Sequence, residues 1–330
     1  SRRAANDAAH RVTIPDTSTQ KNQMTDRCEA HLFTNGFAAR GRAARLVDKI
    51  GHRLWQDGLR LTTAETSSPG SLINQLAVAC ESGARNILIA GGDGSVNEAI
   101  NGIMEAGADP RMGVIPIGTG NDFAKALGIP LDWRRACERI IDGINRPGND
   151  ARIDVGRCNE RFFLNSVGIG FDAKVAILAS RMKWPTGQIR YPLALVKALV
   201  SGIENPLVKI VTDETTLELT ITLISAMNGR IAGGIFPLAP DARINDGQLD
   251  IVIADSMNRR QVMRLLPRLM KGTHLSLPEV RLIRSRTLRL VSSLPLAVQT
   301  DGEILTAVAR NLDIELIPGR LSVIGGRPAE

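Results

Sequence analysis

A glycine-rich octet in the first third of the chain has the residue types and spacing to hold a phosphate group. It comprises Gly91, Gly92, Asp93, Gly94, Ser95, Val96, Asn97 and Glu98. The apolar run 86–90 predicts a short buried strand before it, and apolar residues at helical spacing predict a helix after it. Glycines let the backbone approach an anion, while the first amides and the dipole of the helix attract it. The octet therefore predicts phosphate binding. The alternative is a tight turn that needs glycine only for its backbone angles.

A second glycine-rich segment begins at the end of another apolar run, 112–117. It comprises Pro116, Ile117, Gly118, Thr119, Gly120, Asn121, Asp122, Phe123 and Ala124. Around both loops, strand patterns alternate with helix patterns, which predicts an α/β fold with a parallel sheet. In such folds ligands bind at the carboxyl ends of the strands, so we expect a nucleotide to lie where the two loops meet. The chain has no Walker A lysine motif, which excludes a P-loop enzyme.

The pattern of the chain changes near residue 150. Turn-forming residues at 146–150 mark a boundary, and the later segments predict mainly strands joined by turns such as Asp301-Gly302. This indicates a second, antiparallel β domain. We expect a disordered leader at 1–26 and a nucleotide-binding α/β domain at 27–149. A second domain follows at 150–318, and a last segment, 319–330, packs back on the first domain.

Composition narrows the class of protein and of partner. The chain has 330 residues, with 41 Lys and Arg against 34 Asp and Glu. The net charge of +7 fits an anionic substrate or an anionic membrane surface, whereas 3% aromatic residues and the absence of a lysine-rich tract argue against nucleic acid. The four cysteines are scattered without a C-x-x-C pair, which indicates a reducing, cytoplasmic compartment. No apolar run approaches the roughly 20 residues that span a bilayer.

The octet, the second loop and Asp301-Gly302-Glu303 together resemble the diacylglycerol kinase catalytic-domain family, especially its soluble bacterial lipid kinases. The wider superfamily includes sphingosine kinases, NAD kinases and phosphofructokinases. The resemblance covers nearly all of the chain from about residue 28 onward. It implies a three-layer α/β domain with a parallel sheet, a C-terminal antiparallel β-sandwich, and a nucleotide cleft between the two.

The resemblance also implies roles for individual residues. Residues 91–98 would bind ATP together with Gly118, Thr119, Asn121 and Asp122 of the second loop. Thr66 and Asn35 match two further nucleotide contacts, although the residues after Asn35 depart from the family pattern. Asp93 would orient the loop or contact Mg²⁺ through water, because a carboxylate repels phosphate.

The catalytic base implied is Glu303, with Asp301 as its partner or substitute. A Mg²⁺ ion would be held by the Asp246 carboxylate and by the main-chain carbonyls of Arg243 and Gln248. Plain hairpin turns are the alternatives for both segments.

The resemblance therefore implies an ATP- and Mg²⁺-dependent lipid kinase that phosphorylates diacylglycerol or a related membrane lipid. NAD kinase is the first alternative, and a nucleotide-binding lipid sensor without turnover is the second. The Asn97-Glu98 pair and the second loop favour the lipid kinase.

The acceptor lipid and the oligomeric state stay open, a homodimer included. Two basic stretches could contact the inner face of the membrane, with solvated helices as the alternative. They contain Arg181, Lys183, Trp184, Arg190 and Tyr191, and then Arg259, Arg260, Arg264 and Arg268.

Overall fold

The computed structural model describes residues 28–35, 42–66, 68–182, 184 and 190–328, with side chains except at 35, 42–45, 190 and 191. In its first half, strands and helices alternate. The elements are β1 (Glu29–Asn35), α1 (Arg42–Gln56), β2 (Arg60–Thr66), α2 (Ser71–Glu81), β3 (Asn86–Gly91), α3 (Asp93–Glu105), β4 (Arg111–Pro116), α4 (Asp122–Ala126) and α5 (Trp133–Asn145).

Local chemistry accounts for several of these elements. Strand β3 is buried along its whole length after Asn86, as its uninterrupted apolar run predicts. Helix α5 begins where Asp132 caps it by accepting hydrogen bonds from the amides of Arg134 and Arg135, both at 3.1 Å. Strand β1 pairs in parallel with β2 and β3, and β3 pairs in parallel with β4. The carboxyl ends of these strands therefore share one edge.

The second half is richer in strands. Its elements are β5 (Ala151–Cys158), β6 (Arg161–Phe163), β7 (Ser166–Gly170), α6 (Phe171–Arg181), α7 (Arg190–Ser201), β8 (Leu207–Thr212), β9 (Thr216–Met227), β10 (Leu249–Asp255), α8 (Arg259–Lys271), a 3₁₀ turn (His274–Ser276), β11 (Val280–Ser285), β12 (Thr287–Thr300) and β13 (Glu303–Val323). All strand pairs within this half are antiparallel. Three helices, α6, α7 and α8, pack together over a separate apolar cluster. The prediction of an α/β fold with a β-rich C-terminal domain is confirmed.

The two halves share one continuous sheet. Its strand order is β11-β10-β9-β7-β12-β13-β4-β3-β1-β2. Strand β13 makes the connection, because its last residues Ser322 and Val323 pair in parallel with the start of β4. Leu321, Val323 and Ile324 lie in the apolar core of the first half. The chain thus returns to the first half after completing the second one.

Among the described residues, no helix combines the length and the apolar character that crossing a bilayer requires.

Candidate active site

The two glycine-rich loops touch backbone to backbone at the shared edge of the sheet. Gly91 at the end of β3 is paired with Pro116 at the end of β4. A Cβ atom added to Gly118 would lie 2.5 Å from the Cα of Gly92. A side chain cannot be accommodated there without moving one backbone, so glycine is required at this crossing. The loops therefore form one surface, which is the arrangement expected for a shared nucleotide site.

Helix α3 starts at this surface with backbone amides that no side chain caps. Its N-cap is Gly92. The first amides of a helix lack intrahelical partners, and the helix dipole adds positive potential at the same end. An anionic group placed at the crossing of the loops would meet these amides directly.

Asp93 joins the two loops. Its Oδ1 accepts a hydrogen bond from the amide of Phe123 at 3.3 Å. Its Oδ2 lies beside Gly120, where an added Cβ would come within 2.6 Å of that oxygen. The carboxylate thus holds the second loop against the start of α3.

Asn121 closes the second loop on itself. It has a left-handed backbone with φ 54°, which asparagine tolerates better than most residues. Its Oδ1 accepts from the Gly118 amide at 3.1 Å, and its Nδ2 donates to the Gly118 carbonyl at 2.9 Å. Thr119 is exposed at the tip of the loop. The side chain of Asn121 therefore shapes the loop, while Thr119 is left accessible to a ligand.

Asp122 is a buried carboxylate next to a second one. Burial, followed by repulsion from Asp93, raises the pKa of Asp122 to about 6. The amide of Gly234 donates to Asp122 Oδ2 at 2.8 Å, and Lys125 approaches Oδ1 at 3.4 Å. Two carboxylates thus lie close together beside the crossing of the loops, which favours a cation at this point.

Asp301 anchors the turn between β12 and β13. Its Oδ1 accepts from the amides of Asn165 and Ser166, and its Oδ2 accepts from the amide of Leu164 and from Asn97 Nδ2, all between 2.8 and 3.0 Å. A carboxylate has about four lone-pair sites, so all of them are used. Burial raises the pKa of Asp301, and the four donated hydrogen bonds oppose that shift.

Asn97 carries this network into the first half of the chain. It is fully buried, and its Nδ2 also lies 3.3 Å from the carbonyl of Phe162. Its Oδ1 accepts from Arg161 at 2.9 Å. The side chain thus connects α3 to Asp301 and to β6, and these bonds use both ends of its amide.

Glu303 has quite different surroundings from Asp301. It is exposed at the start of β13. A Cβ atom added to Gly94 would lie 3.0 Å from Glu303 Oε1, so the carboxylate stands over the first turn of α3. Glu303 therefore lies beside the octet in the fold, although more than 200 residues separate the two in the sequence.

A cavity of about 240 Å³ opens beside the loops. At its polar end it meets Asp93, Gly120, Asp122 and Asp301. Its deeper walls are apolar and come from α6, α7, α8, β9 and the segment 232–238. The apolar lining residues are Phe171, Val175, Leu195, Leu223, Phe236, Leu238, Val262, Leu265, Leu266 and Leu269. Such a cavity suits an amphipathic ligand whose polar end reaches the loops.

Three adjacent strands place polar side chains on the cavity wall, and no sequence pattern predicted them. Gly168 of β7 is paired with Ser225 of β9 on one side and with Gln299 of β12 on the other. Because Gly168 has no side chain, the Asp172 carboxylate occupies the gap, where Gln299 Nε2 donates to it at 3.1 Å. The Ser225 hydroxyl is buried without a hydrogen-bond partner among the described residues. The two glycines of Gly168-Ile169-Gly170 in a buried strand are the only signal that pointed here.

Two further predicted nucleotide contacts lie at the carboxyl ends of β1 and β2, on the other side of β3 from β4. Thr66 is buried at the end of β2, and its Oγ1 donates to the carbonyl of Thr34 at 3.3 Å. The backbone of Asn35 is paired with Thr66, whereas its side chain and the divergent segment 36–41 lie outside the described residues. Glu98 is partly exposed on α3, and Val96 lines the cavity.

The predicted metal loop is a surface turn. Asp246 is exposed, and its Oδ1 accepts from the amide of Gln248 at 3.0 Å. Arg243 is exposed in the same turn. Asp154 lies beneath, accepting from the amides of Gly247 and Gly319 at 2.7 Å. Burial raises the pKa of Asp154. Within the described part of the chain, no cluster of three or more His, Cys, Asp or Glu side chains could hold a metal.

Comparison with known proteins gives consistent matches to both halves. Residues 29–156 match a model of the diacylglycerol kinase catalytic domain, and residues 165–325 match a YegS C-terminal NAD kinase beta sandwich-like domain. A diacylglycerol kinase of Mycobacterium tuberculosis H37Rv is 30% identical, over 89% of this chain and 94% of that protein. One from Bacillus subtilis strain 168 is 29% identical, over 83% and 89%.

The fold also matches a solved structure. A crystal structure from Bacillus anthracis strain Sterne, described as a candidate diacylglycerol kinase, superposes with a TM-score of 0.74 and 25% identity. The match covers 90% of this chain and 96% of that one.

Proposed function

The chain belongs to the diacylglycerol kinase family, and from this premise we propose that it transfers the γ-phosphoryl group of ATP to a free hydroxyl of diacylglycerol or a closely related membrane lipid. The single observation that carries the proposal is the apolar cavity that ends at the crossing of the two glycine loops. A phosphate surface and an apolar ligand space meet there, and a lipid kinase needs both.

ATP would lie across the loops at the start of α3. Family membership implies ATP as the phosphoryl donor, and the uncapped amides of α3 support phosphate binding at this point. The closed second loop presents Gly118 and exposed Thr119 to the same ligand. Asn121 and Asp93 would act by shaping the loops rather than by touching phosphate.

The acceptor would enter through the apolar end of the cavity. Its acyl chains would pack against α6, α7 and α8, and its hydroxyl would reach the polar end beside Asp122. The polar row of Ser225, Asp172 and Gln299 lies along the wall between these ends and can hydrogen-bond to the polar backbone of the lipid.

We assign the base to Glu303 and a positioning role to Asp301. All four lone-pair sites of Asp301 are occupied, so it has no site left for an incoming proton. Glu303 is exposed and stands over the first turn of α3. As the acceptor oxygen bonds to phosphorus, its proton passes to a Glu303 carboxylate oxygen, and ADP leaves.

Magnesium fits two places in this chain. Beside the loops, the mutual repulsion of Asp93 and the buried Asp122 would be relieved by a cation, and Mg²⁺ supplies charge neutralisation to phosphoryl transfer when it is bound. In the surface turn, Asp246 Oδ2 accepts no hydrogen bond from the described residues, and the carbonyls of Arg243 and Gln248 are hard oxygen donors of the kind Mg²⁺ prefers.

The test is a phosphoryl-transfer assay with labelled ATP, Mg²⁺ and a panel of acceptors that includes diacylglycerol, a sphingoid base, a polyprenol and NAD. We expect label in a lipid, most strongly in diacylglycerol. Label in NAD alone would identify the NAD kinase alternative. ATP binding without transfer to any acceptor would identify a sensor without turnover.

A further inference from the structure

Two helices that wall the apolar cavity also present an unusual outer surface. The inner sides of α7 and α8 contribute Leu195, Val262, Leu265, Leu266 and Leu269 to the cavity. On α7, the outward residues are Leu193, Val196 and Val200, which recur at helical spacing and are 41%, 56% and 72% exposed. An apolar stripe therefore lies on the outside of a helix whose inside is already packed.

Helix α8 adds positive charge beside this stripe. It contains Arg259, Arg260, Arg264, Arg268 and Lys271, and no acidic residue. Two of its exposed residues are apolar as well, Met263 and Met270, at 55% and 61% exposure. The Arg259 guanidinium donates to the carbonyl of Val200 at 3.1 Å, which fixes the start of α8 against the end of α7. We call these outward residues of the two helices the α7–α8 face.

We propose that the α7–α8 face docks the protein on an anionic lipid bilayer. Exposed apolar side chains among basic ones are the pattern of helices that lie in a membrane interface, where the former enter the acyl boundary and the latter bind anionic headgroups. On both helices, the residues of the face point away from the side that lines the apolar cavity. Docking would therefore place the helices that wall the cavity against the membrane, from which an apolar ligand would come. This last point rests on the proposed function, whereas the docking itself does not.

The charge of the face selects the bilayer over a second copy of the chain. A two-fold dimer would bring five basic side chains of α8 towards the same five on the partner, and like charges at an interface oppose association. Arg260 and Arg264 make no ion pair with any described residue, so neither is neutralised within the protein. An anionic surface supplies the opposite charge to both.

The experiment measures co-sedimentation of the full chain with vesicles of phosphatidylcholine alone and with added phosphatidylglycerol. We expect binding that requires phosphatidylglycerol and weakens with salt. The double variant Arg260→Gln and Arg264→Gln should bind about 30-fold more weakly, which corresponds to ~2 kcal/mol. Its matched control is Arg135→Gln with Arg146→Gln, two exposed arginines at the end of the first half.

A valine substitution and its control test the apolar part of the α7–α8 face. Val196→Ser should reduce vesicle binding severalfold, whereas Val78→Ser on α2, at 61% exposure, should not. Equal binding by wild type, Arg260/Arg264 and Val196 variants would overturn the proposal. Concentration-dependent dimerisation that the same variants abolish, without vesicle binding, would assign the face to a second copy instead.

The proposed kinase activity can be tested independently of membrane docking. With diacylglycerol presented in detergent micelles, the α7–α8 variants should retain the turnover of wild type. Vesicle binding without lipid phosphorylation in any format would leave docking intact and remove the proposed activity.

Discussion

Asp301 and Glu303 are separated by one glycine, but their surroundings give them different chemistry. The carboxylate of Asp301 is enclosed by three backbone amides and Asn97, whereas Glu303 is exposed above the start of α3. The two are equivalent in sequence terms, since both are acidic residues in a turn. Only contacts made with residues 161–166 and with the octet separate them, and those contacts are distant in the chain.

Glu303→Gln should preserve the fold and abolish most turnover. The amide keeps the size of the side chain but cannot accept the proton of the acceptor hydroxyl, so kcat should fall about 10²–10⁴-fold. The KM for ATP should change little, because Glu303 takes no part in closing the phosphate loops. Steady-state kinetics with labelled ATP measure both parameters, with Glu81→Gln on the exposed face of α2 as the control. Wild-type kcat in Glu303→Gln would remove it as the base.

Asp301→Asn should instead reduce stability. The replacement turns one acceptor oxygen into a donor that faces an existing N–H donor, and it removes the charge from the remaining hydrogen bonds. We expect the free energy of unfolding to fall by about 3 kcal/mol, since bonds to a charged acceptor contribute ~1.5–3 kcal/mol each. Urea unfolding measures this loss. A variant that unfolds like wild type but does not turn over would favour a direct role in proton transfer.

Asp122 makes stability depend on pH. Its pKa in the folded protein is about 6, mainly through burial, whereas the pKa of an aspartate in an unfolded chain is ~3.9. The folded state therefore holds the proton more tightly, and the stabilisation present below about pH 4 is lost as pH rises through 6. Relative to wild type, Asp122→Asn should gain about 2–3 kcal/mol between pH 4 and pH 7 in metal-free buffer.

Chemical denaturation of both proteins at several pH values with chelator present tests this expectation. Asp142→Asn, at an exposed site on α5, provides the control. Parallel pH profiles for wild type and Asp122→Asn would contradict it.

At the scale of elements, the crossing of the two loops depends on the absence of side chains. Gly118→Ala would place a methyl group 2.5 Å from the Cα of Gly92, so the loops must separate. We expect ATP binding to weaken by at least about tenfold and the free energy of unfolding to fall by about 1–3 kcal/mol. Isothermal titration with ATP and thermal melting measure the two effects.

Gly51→Ala is the matched control for this substitution. It lies within α1, where an added Cβ meets nothing within 4 Å. Alanine should stabilise that helix by up to about 1 kcal/mol and leave ATP binding unchanged. If Gly118→Ala bound ATP as tightly as Gly51→Ala does, the loops would not form the phosphate surface.

Local pattern predicted the elements that depend on neighbouring residues. The apolar runs 86–90 and 112–117 specify β3 and β4 within a few positions. By contrast, β13 has 21 residues because its last part pairs with β4, some 210 positions earlier. No local period encodes such a pairing. The same limit hid the polar row around Gly168, since Ser225 and Gln299 reach it from separate strands.

Across the whole molecule, the continuous sheet gives the two halves a fixed geometry. Asn97 and Asp301 add a polar connection between α3 and the second half, while Leu321 and Val323 add an apolar one to the first core. The proposed base and the proposed phosphate surface come from different halves. Their relative position is therefore set by packing that spans the chain, rather than by a hinge within a single loop.

The cavity lies between the loops and the helices of the second half, which supply its apolar end. Leu266→Trp should fill part of its 240 Å³ and obstruct long acyl chains while leaving the loops unaltered. We expect ATP affinity to be retained and turnover of long-chain diacylglycerol to fall at least about tenfold, with short-chain acceptors less affected. Leu131→Trp, at a residue 51% exposed outside the cavity, controls for the bulk of the indole. Equal losses for long and short acceptors would mean that the acyl chains bind elsewhere. An unchanged rate with both would show that the acceptor does not enter this cavity at all.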